Sequence, residues 1–82
     1  MRNLFLTAAN AIVAKFDQRM ETRTPEYATA TMLTAVEHLR NLASIAWYTG
    51  DSATAEKLNS AAYAWEFHGL KPREFKEAVS DA

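Results

Sequence analysis

Apolar residues recur every three or four positions along three stretches of the chain, at about residues 3–22, 25–49 and 52–68. This spacing places them on one face of a helix, which is the pattern of an amphipathic α-helix. A fourth, shorter stretch over about residues 72–80 begins with Pro72, a residue favoured at the first helical position. The pattern predicts an all-α fold: a small antiparallel three-helix bundle with a short fourth C-terminal helix, in a single domain over residues 1–82.

Signals for helix ends stand between these stretches. Thr24 can cap the second helix by accepting a hydrogen bond from a free amide of its first turn, and Pro25 then fits the first helical position. Gly50 can take the left-handed conformation that ends the second helix, and Asp51 or Ser52 can cap the third. Because both connections are short, we expect neighbouring helices to pack antiparallel.

The second helix is predicted to organise the fold because its apolar face is unusually wide. Its central stripe consists of Ala28, Met32, Ala35, Val36, Leu39, Leu42, Ala43 and Ala46. Leu33 and Trp47 flank one edge of this stripe, and Tyr27, His38 and Ile45 flank the other. A helix with two apolar edges can pack against two neighbours at once, so we expect the first and third helices to lie on either side of it.

Several large apolar residues fall away from these packing faces. Tyr63 and Phe67 are four residues apart and lie opposite the face that carries Leu58 and Trp65. Contiguous exposed aromatic residues are typical of protein–protein interfaces. The candidate partner-binding residues are therefore Tyr63, Phe67, Tyr48, Trp47 and Ile45.

The predicted fourth helix offers an alternative cover for part of this surface. Leu70 and Phe75 stand at the positions of a hydrophobic staple around the start of that helix. If the helix folds back, it can place Leu70, Phe75 and Val79 near Tyr63 and Phe67. The sequence leaves both arrangements open.

Composition narrows the class of partner. The 82 residues include nine basic and ten acidic residues, interspersed, for a net charge of -1, which argues against duplex DNA or an anionic membrane. No apolar run reaches the roughly 18 residues of a membrane-spanning helix, and a cytoplasmic location is the default expectation. The chain has no cysteine to form a disulfide, so a marginal small core is expected to gain stability from a partner or from a homodimer.

A basic row gives a nucleic-acid alternative. Lys15, Arg19 and Arg23 stand at successive four-residue steps along one flank of the first helix. A nucleic-acid-binding face would need more basic or aromatic residues, and Asp17 and Glu21 lie close by in the sequence. We therefore expect a solvated face.

Catalytic and metal-binding patterns are lacking. A zinc site needs three or four ligands at suitable spacing, and the two histidines, His38 and His68, have no such companions. We expect no catalytic residue, no metal and no cofactor.

Asp51-Ser52 resembles the attachment site of acyl carrier proteins. A carrier or enzyme subunit acting through Ser52 or His38 is therefore a further alternative, although helix capping accounts for the dipeptide.

One stretch resembles a known helical hairpin. Leu42, Ala43, Gly50, Asp51, Ala55 and Ala62 stand at spacings similar to those of a tetratricopeptide hairpin, over about residues 39–64. In that family small residues let two antiparallel helices touch, and stacked hairpins bind peptides. The resemblance implies protein binding. Together with the candidate aromatic surface, it favours a non-enzymatic interaction protein: a small regulator, adaptor or inhibitor that binds another protein or a second copy of itself.

Overall fold

The computed structural model describes residues 3–76, and within that range the chain is all-α, as predicted. Helix α1 spans Leu4–Met20, α2 spans Ala28–Tyr48 and α3 spans Ser52–His68. A single 3-10 turn over Pro25–Tyr27 leads into α2. No strand occurs among the described residues.

Two side chains cap α1 and α3 and also join the starts of these helices. The Asn3 side chain accepts hydrogen bonds from the backbone N–H groups of Phe5 and Leu6, at 2.9 and 3.2 Å. The Asp51 carboxylate accepts from the backbone N–H of Thr54 at 3.1 Å. The Asn3 amide then donates to the Thr54 hydroxyl at 2.9 Å. The N-termini of α1 and α3 therefore lie side by side.

The predicted cap at Thr24 is wrong. The Thr24 hydroxyl donates to the Glu26 carboxylate at 3.2 Å and makes no hydrogen bond to a backbone amide of the next turn. The Thr24 carbonyl instead accepts from the backbone N–H of Tyr27 at 3.0 Å. Because this bond closes a 3-10 turn, the regular α-helix starts at Ala28, three residues after the predicted start.

Gly50 ends α2 as the sequence predicts. Its φ of +91° lies in the left-handed region, which side chains with a β-carbon rarely adopt. The turn is closed by the backbone N–H of Asp51, which donates to the Ala46 carbonyl at 2.9 Å. The chain reverses here, so α3 runs back along α2.

Small residues line the contact between α2 and α3. Ala43 and Ala46 on α2 and Ala55 and Ala62 on α3 are fully buried, so the two helix backbones can approach closely. Larger side chains fill the rest of the core, which includes Leu6, Val13, Val36, Leu39, Leu58 and Trp65. At the other end of α1, Phe16 meets Trp65 edge to face, with ring centroids 4.8 Å apart. Helices α1 and α3 therefore run in the same direction.

The segment after α3, residues 69–76 (here called the tail), contains no helix. The predicted fourth helix is therefore absent over residues 72–76, and its remainder, 77–80, lies outside the described residues. Phe75 is buried in the core at 8% exposure. The Asn10 side chain accepts from the Phe75 N–H at 2.6 Å and donates to the Phe75 carbonyl at 3.0 Å. These are the backbone groups that a helix would have used.

Two further contacts fix the direction of the tail. Lys71 pairs with Asp17 of α1 at 2.6 Å, and the Lys57 ammonium group donates to the Lys76 carbonyl at 3.0 Å. The tail thus runs back along α1, from the level of Asp17 to that of Asn10. Leu70 stays exposed while Phe75 is buried, so the predicted hydrophobic staple does not form.

Candidate functional site

Tyr63 and Phe67, here called the aromatic pair, lie on the outer face of α3. Their ring centroids are 4.8 Å apart with an interplanar angle of 45°, as expected for residues one helical turn apart. They are 55% and 58% exposed, respectively. The His68 ring lies 5.6 Å from that of Tyr63 and is also exposed. The result is a small aromatic surface of three rings on the last two turns of α3.

The described tail does not cover the aromatic pair. Its anchor, Phe75, is held by Asn10 of α1, and Lys71 is held by Asp17 of the same helix. Trp65 points to this side of α3, where it meets Phe16 of α1. Tyr63 and Phe67 lie on the opposite side of α3. Up to Lys76, the last described residue, the tail therefore does not cover the aromatic pair. The predicted arrangement, with Leu70 and Phe75 over Tyr63 and Phe67, is not observed.

The other three candidate residues lie in the last turn of α2, on different sides of that helix. Ile45 and Trp47 are more than half exposed, and Tyr48 is 88% exposed. These residues lie close to the turn where α3 begins, whereas Tyr63 lies eleven residues into α3, or about 16 Å further at 1.5 Å per residue. The structure therefore brings Tyr63 and Phe67 together and places the other three candidates toward the opposite end of α3, with Trp47 on the flank of α2 that carries Arg40.

An ion pair borders the aromatic pair on the side of α2. Arg40 binds Glu66 at 2.7 Å, and Glu66 lies next to Phe67 in the sequence. Leu33 and Trp47 stand seven residues before and after Arg40, so all three share the flank of α2 that faces α3. Leu33 and Trp47 are both exposed. The aromatic pair therefore lies beside a partly apolar flank that carries a central ion pair.

The basic row of α1 is divided between two environments. Lys15 and Arg19 line a groove of about 190 Å³ between α1 and α2. Arg23 instead lies over the Tyr27 ring, with its guanidinium carbon 6.0 Å from the ring centroid. His38, predicted at the edge of the core, is exposed and lines the same groove. Sequence reasoning missed this groove, although the basic row next to Ile12 and Phe16 was a signal for it.

At the start of α3, Asp51 acts as the helix cap. Hydrogen bonds from the hydroxyl and the backbone N–H of Thr54 stabilise its charged form and lower the pKa of the Asp51 carboxyl below its ordinary value of 3.8. The neighbouring Ser52 is exposed at the first position of the helix. This geometry is that of a capped helix start.

Two kinds of feature are absent from residues 3–76. No group of three or more histidine, aspartate or glutamate side chains in this range is arranged to hold a metal ion. Within the same range, no helix combines the length and apolar character needed to cross a bilayer. Comparison of the chain with protein-family models, with curated protein sequences and with solved structures finds no match.

Proposed function

We propose that this chain is a non-enzymatic protein-binding module, a small regulator, adaptor or inhibitor whose partner docks on the outer face of α3. The observation that supports this most directly is the exposed aromatic pair. The rings of Tyr63 and Phe67 contact each other at a tilt and remain more than half exposed, while the described tail packs on the other side of α3. Tyrosine and phenylalanine are among the residues enriched at interfaces.

The neighbouring flank of α2 extends this surface. Leu33 and Trp47 supply further exposed apolar area on either side of Arg40. The Arg40–Glu66 ion pair supplies charged groups at the edge, and each side chain is partly accessible. Binding energy at interfaces is concentrated in a few central aromatic or arginine residues, with a polar rim that excludes water. In this proposal the aromatic pair is the centre and the ion pair is part of the rim.

The proposed framework is a three-helix bundle with a hairpin of tetratricopeptide-like packing. Fully buried alanines on α2 and α3, and the left-handed Gly50 between them, support that resemblance. In this framework α3 is held rigidly by α2 on one side and by α1 with the tail on the other. A rigid helix face binds at a lower entropic cost than a flexible one, because fewer side chains and loops become ordered on binding.

A differential pull-down from the native host tests the proposal. The bait is the purified chain, used beside a Tyr63→Ala/Phe67→Ala variant and a matched control, Leu4→Ala/Tyr27→Ala, which removes two exposed apolar side chains elsewhere. We expect a protein that is captured by the wild type and the control and is lost with the aromatic-pair variant. Equal capture by all three baits would contradict the proposed surface.

Salt dependence distinguishes this function from nucleic-acid binding. Contact through the aromatic pair should persist as the salt concentration rises, because apolar burial is insensitive to screening. Binding through Lys15, Arg19 and Arg23 would release counterions and weaken steeply with salt. A captured nucleic acid that is lost at high salt, with no protein retained, would replace the proposal with the nucleic-acid alternative.

In the homodimer form of this proposal, the partner of the aromatic pair is a second copy of the chain. Light scattering of the purified wild type and of the Tyr63→Ala/Phe67→Ala variant distinguishes self-association from binding to a different protein. A wild-type dimer that becomes monomeric in the variant assigns the aromatic pair to self-association. A wild type that is already monomeric rules out self-association and leaves a different protein as the proposed partner.

A further inference from the structure

The groove between α1 and α2, here called the cationic groove, combines an apolar floor with a charged rim. Ile12 and Phe16 of α1 and Ala35 of α2 form the floor, and Lys15 and Arg19 stand one helical turn apart on the rim. His38 faces them from α2. The groove has a volume of about 190 Å³. It is smaller than a typical drug-sized pocket, so it suits a small ligand.

The two cations on the rim are available to a ligand. Within residues 3–76, neither Lys15 nor Arg19 forms an ion pair with an acidic side chain. Asp17 lies between them in sequence but points to the other flank of α1, where it binds Lys71. On α2, Glu37 precedes His38 and is therefore turned by about 100° away from the groove. The groove thus has a net positive rim that no neighbouring carboxylate neutralises within that range.

The hydroxyl groups of the groove are already engaged. The Thr31 hydroxyl donates to the Tyr27 carbonyl at 2.8 Å, and the Thr34 hydroxyl donates to the Ala30 carbonyl at 3.1 Å. Both bonds lie within α2, so the two hydroxyl protons are not free to serve a ligand. The donors that remain are the ammonium group of Lys15, the guanidinium group of Arg19 and an imidazole N–H of His38. Because two of these three donors are cationic, the polar groups of the groove favour an anion over a neutral ligand.

We propose that the cationic groove binds a small amphipathic carboxylate, with an aromatic ring or short alkyl chain on the apolar floor and the carboxylate between Lys15 and Arg19. Charge-assisted hydrogen bonds to a carboxylate are stronger than neutral ones, and arginine can form two in parallel. The apolar body supplies affinity by burial, and the two cations supply selectivity over neutral analogues. This site is separate from the aromatic pair, so it adds a ligand-binding activity to the proposed protein-binding function.

Nuclear magnetic resonance titration of the 82-residue chain tests the proposal. The probe is 3-phenylpropionate, and its neutral analogue 3-phenylpropanamide has nearly the same shape without the charge. We expect 3-phenylpropionate to cause saturable shifts in the amide signals of residues 11–19 and 31–38. The amide should bind at least about tenfold more weakly, the effect of losing one charge-assisted hydrogen bond. This comparison uses the wild type alone and does not depend on any variant folding.

Three variants locate the site. Lys15→Gln/Arg19→Gln should lower the affinity for 3-phenylpropionate by at least about tenfold. The matched control, Arg73→Gln/Lys76→Gln, removes the same charge from two exposed positions of the tail and should bind as the wild type does. Ala11→Phe, at an exposed position on the groove wall, should fill the groove and abolish the localised shifts.

Each result that would overturn the proposal contradicts a different part of it. Equal affinity for the carboxylate and the amide would overturn the role of the cations, and unchanged binding by Ala11→Phe would overturn the location. Shifts spread over the whole surface would show non-specific association and would also overturn the proposal. If an acidic amphipathic peptide shifts these amides while 3-phenylpropionate does not, the groove belongs to a protein partner and the small-carboxylate assignment is wrong.

Discussion

The side chain of Asn10 holds both backbone polar groups of Phe75, 65 residues further along the chain. A primary amide carries both an acceptor oxygen and a donor NH2 group, so one side chain can satisfy the N–H and the carbonyl of a single residue. This bond pair lets the tail lie against α1 without any helical structure of its own. It also buries the Phe75 ring in the core and leaves the outer face of α3 uncovered by residues 69–76.

Removal of the Asn10 amide should loosen the tail. For Asn10→Ala we expect the free energy of unfolding to fall by about 1–3 kcal/mol, because two hydrogen bonds are lost and the polar groups of Phe75 are left without this partner. Urea unfolding measures the loss, and faster hydrogen exchange at the Phe75 amide assigns it to the tail. The control Asn59→Ala, at an exposed position on α3, should change stability by less than about 0.5 kcal/mol. An equal effect from both substitutions would contradict the role given to Asn10.

Two phenylalanines test which side of α3 is covered. Phe75→Ala should lower the free energy of unfolding by about 3–5 kcal/mol, since it empties a buried position. Phe67→Ala, at an exposed position, should change it by less than about 0.5 kcal/mol. If Phe75→Ala is too unstable to purify, Phe75→Leu should show a smaller loss in the same direction. Similar costs at both positions would mean that Phe67 is buried in solution.

The cap of α3 gives a pH dependence of known sign. The pKa of Asp51 is lowered in the folded state, so its contribution is fully present above the unfolded value of 3.8 and is lost as the pH falls through the lower folded pKa. Asp51→Asn keeps a capping oxygen and removes this titration. Thermal unfolding from pH 7 to pH 2 should show the wild type losing stability relative to Asp51→Asn only in the acid part of the range. A difference that stays constant down to pH 2 would rule out the hydrogen-bonded carboxylate.

The alanine contact between α2 and α3 should not accept a larger residue. Ala43→Leu adds volume at a fully buried position and should lower the free energy of unfolding by about 1–3 kcal/mol through overpacking. Ala30→Leu makes the same chemical change at an exposed position of α2 and should be nearly neutral. Chemical denaturation of both variants measures the difference. A neutral Ala43→Leu would mean that α2 and α3 are further apart than the structure places them.

The sequence predicts the helical elements well because their signals are local. Apolar spacing and the turn at Gly50 predict a third helix over residues 52–68, and α3 occupies that span. The predicted side-chain cap at Thr24 is wrong because its hydroxyl can donate to Glu26 as readily as accept from an amide, and sequence cannot rank the two. Competition of this kind between neighbouring polar groups shifts the start of α2 by three residues.

The tail could not be predicted because its partner is distant in sequence. Pro72, with Leu70 and Phe75 around it, has the local pattern of a helix start. That pattern is overridden by Asn10, which lies on α1 and supplies the hydrogen bonds that a helix would otherwise provide. The candidate surface is also only partly predictable from the sequence, because the path of the tail depends on distant residues. The four-residue spacing predicts the contact between Tyr63 and Phe67, but only the path of the tail shows which side of α3 residues 69–76 cover.

The most direct test of the central claim is the dissociation constant of the captured protein for the wild type and for Tyr63→Ala/Phe67→Ala, measured at low and high salt. We predict that the double substitution weakens binding by at least about thirtyfold, the effect of removing a hot-spot residue worth about 2 kcal/mol, at both salt concentrations. The Leu4→Ala/Tyr27→Ala control should bind as the wild type does. An unchanged dissociation constant in a folded aromatic-pair variant would contradict the claim that the partner docks on this face of α3.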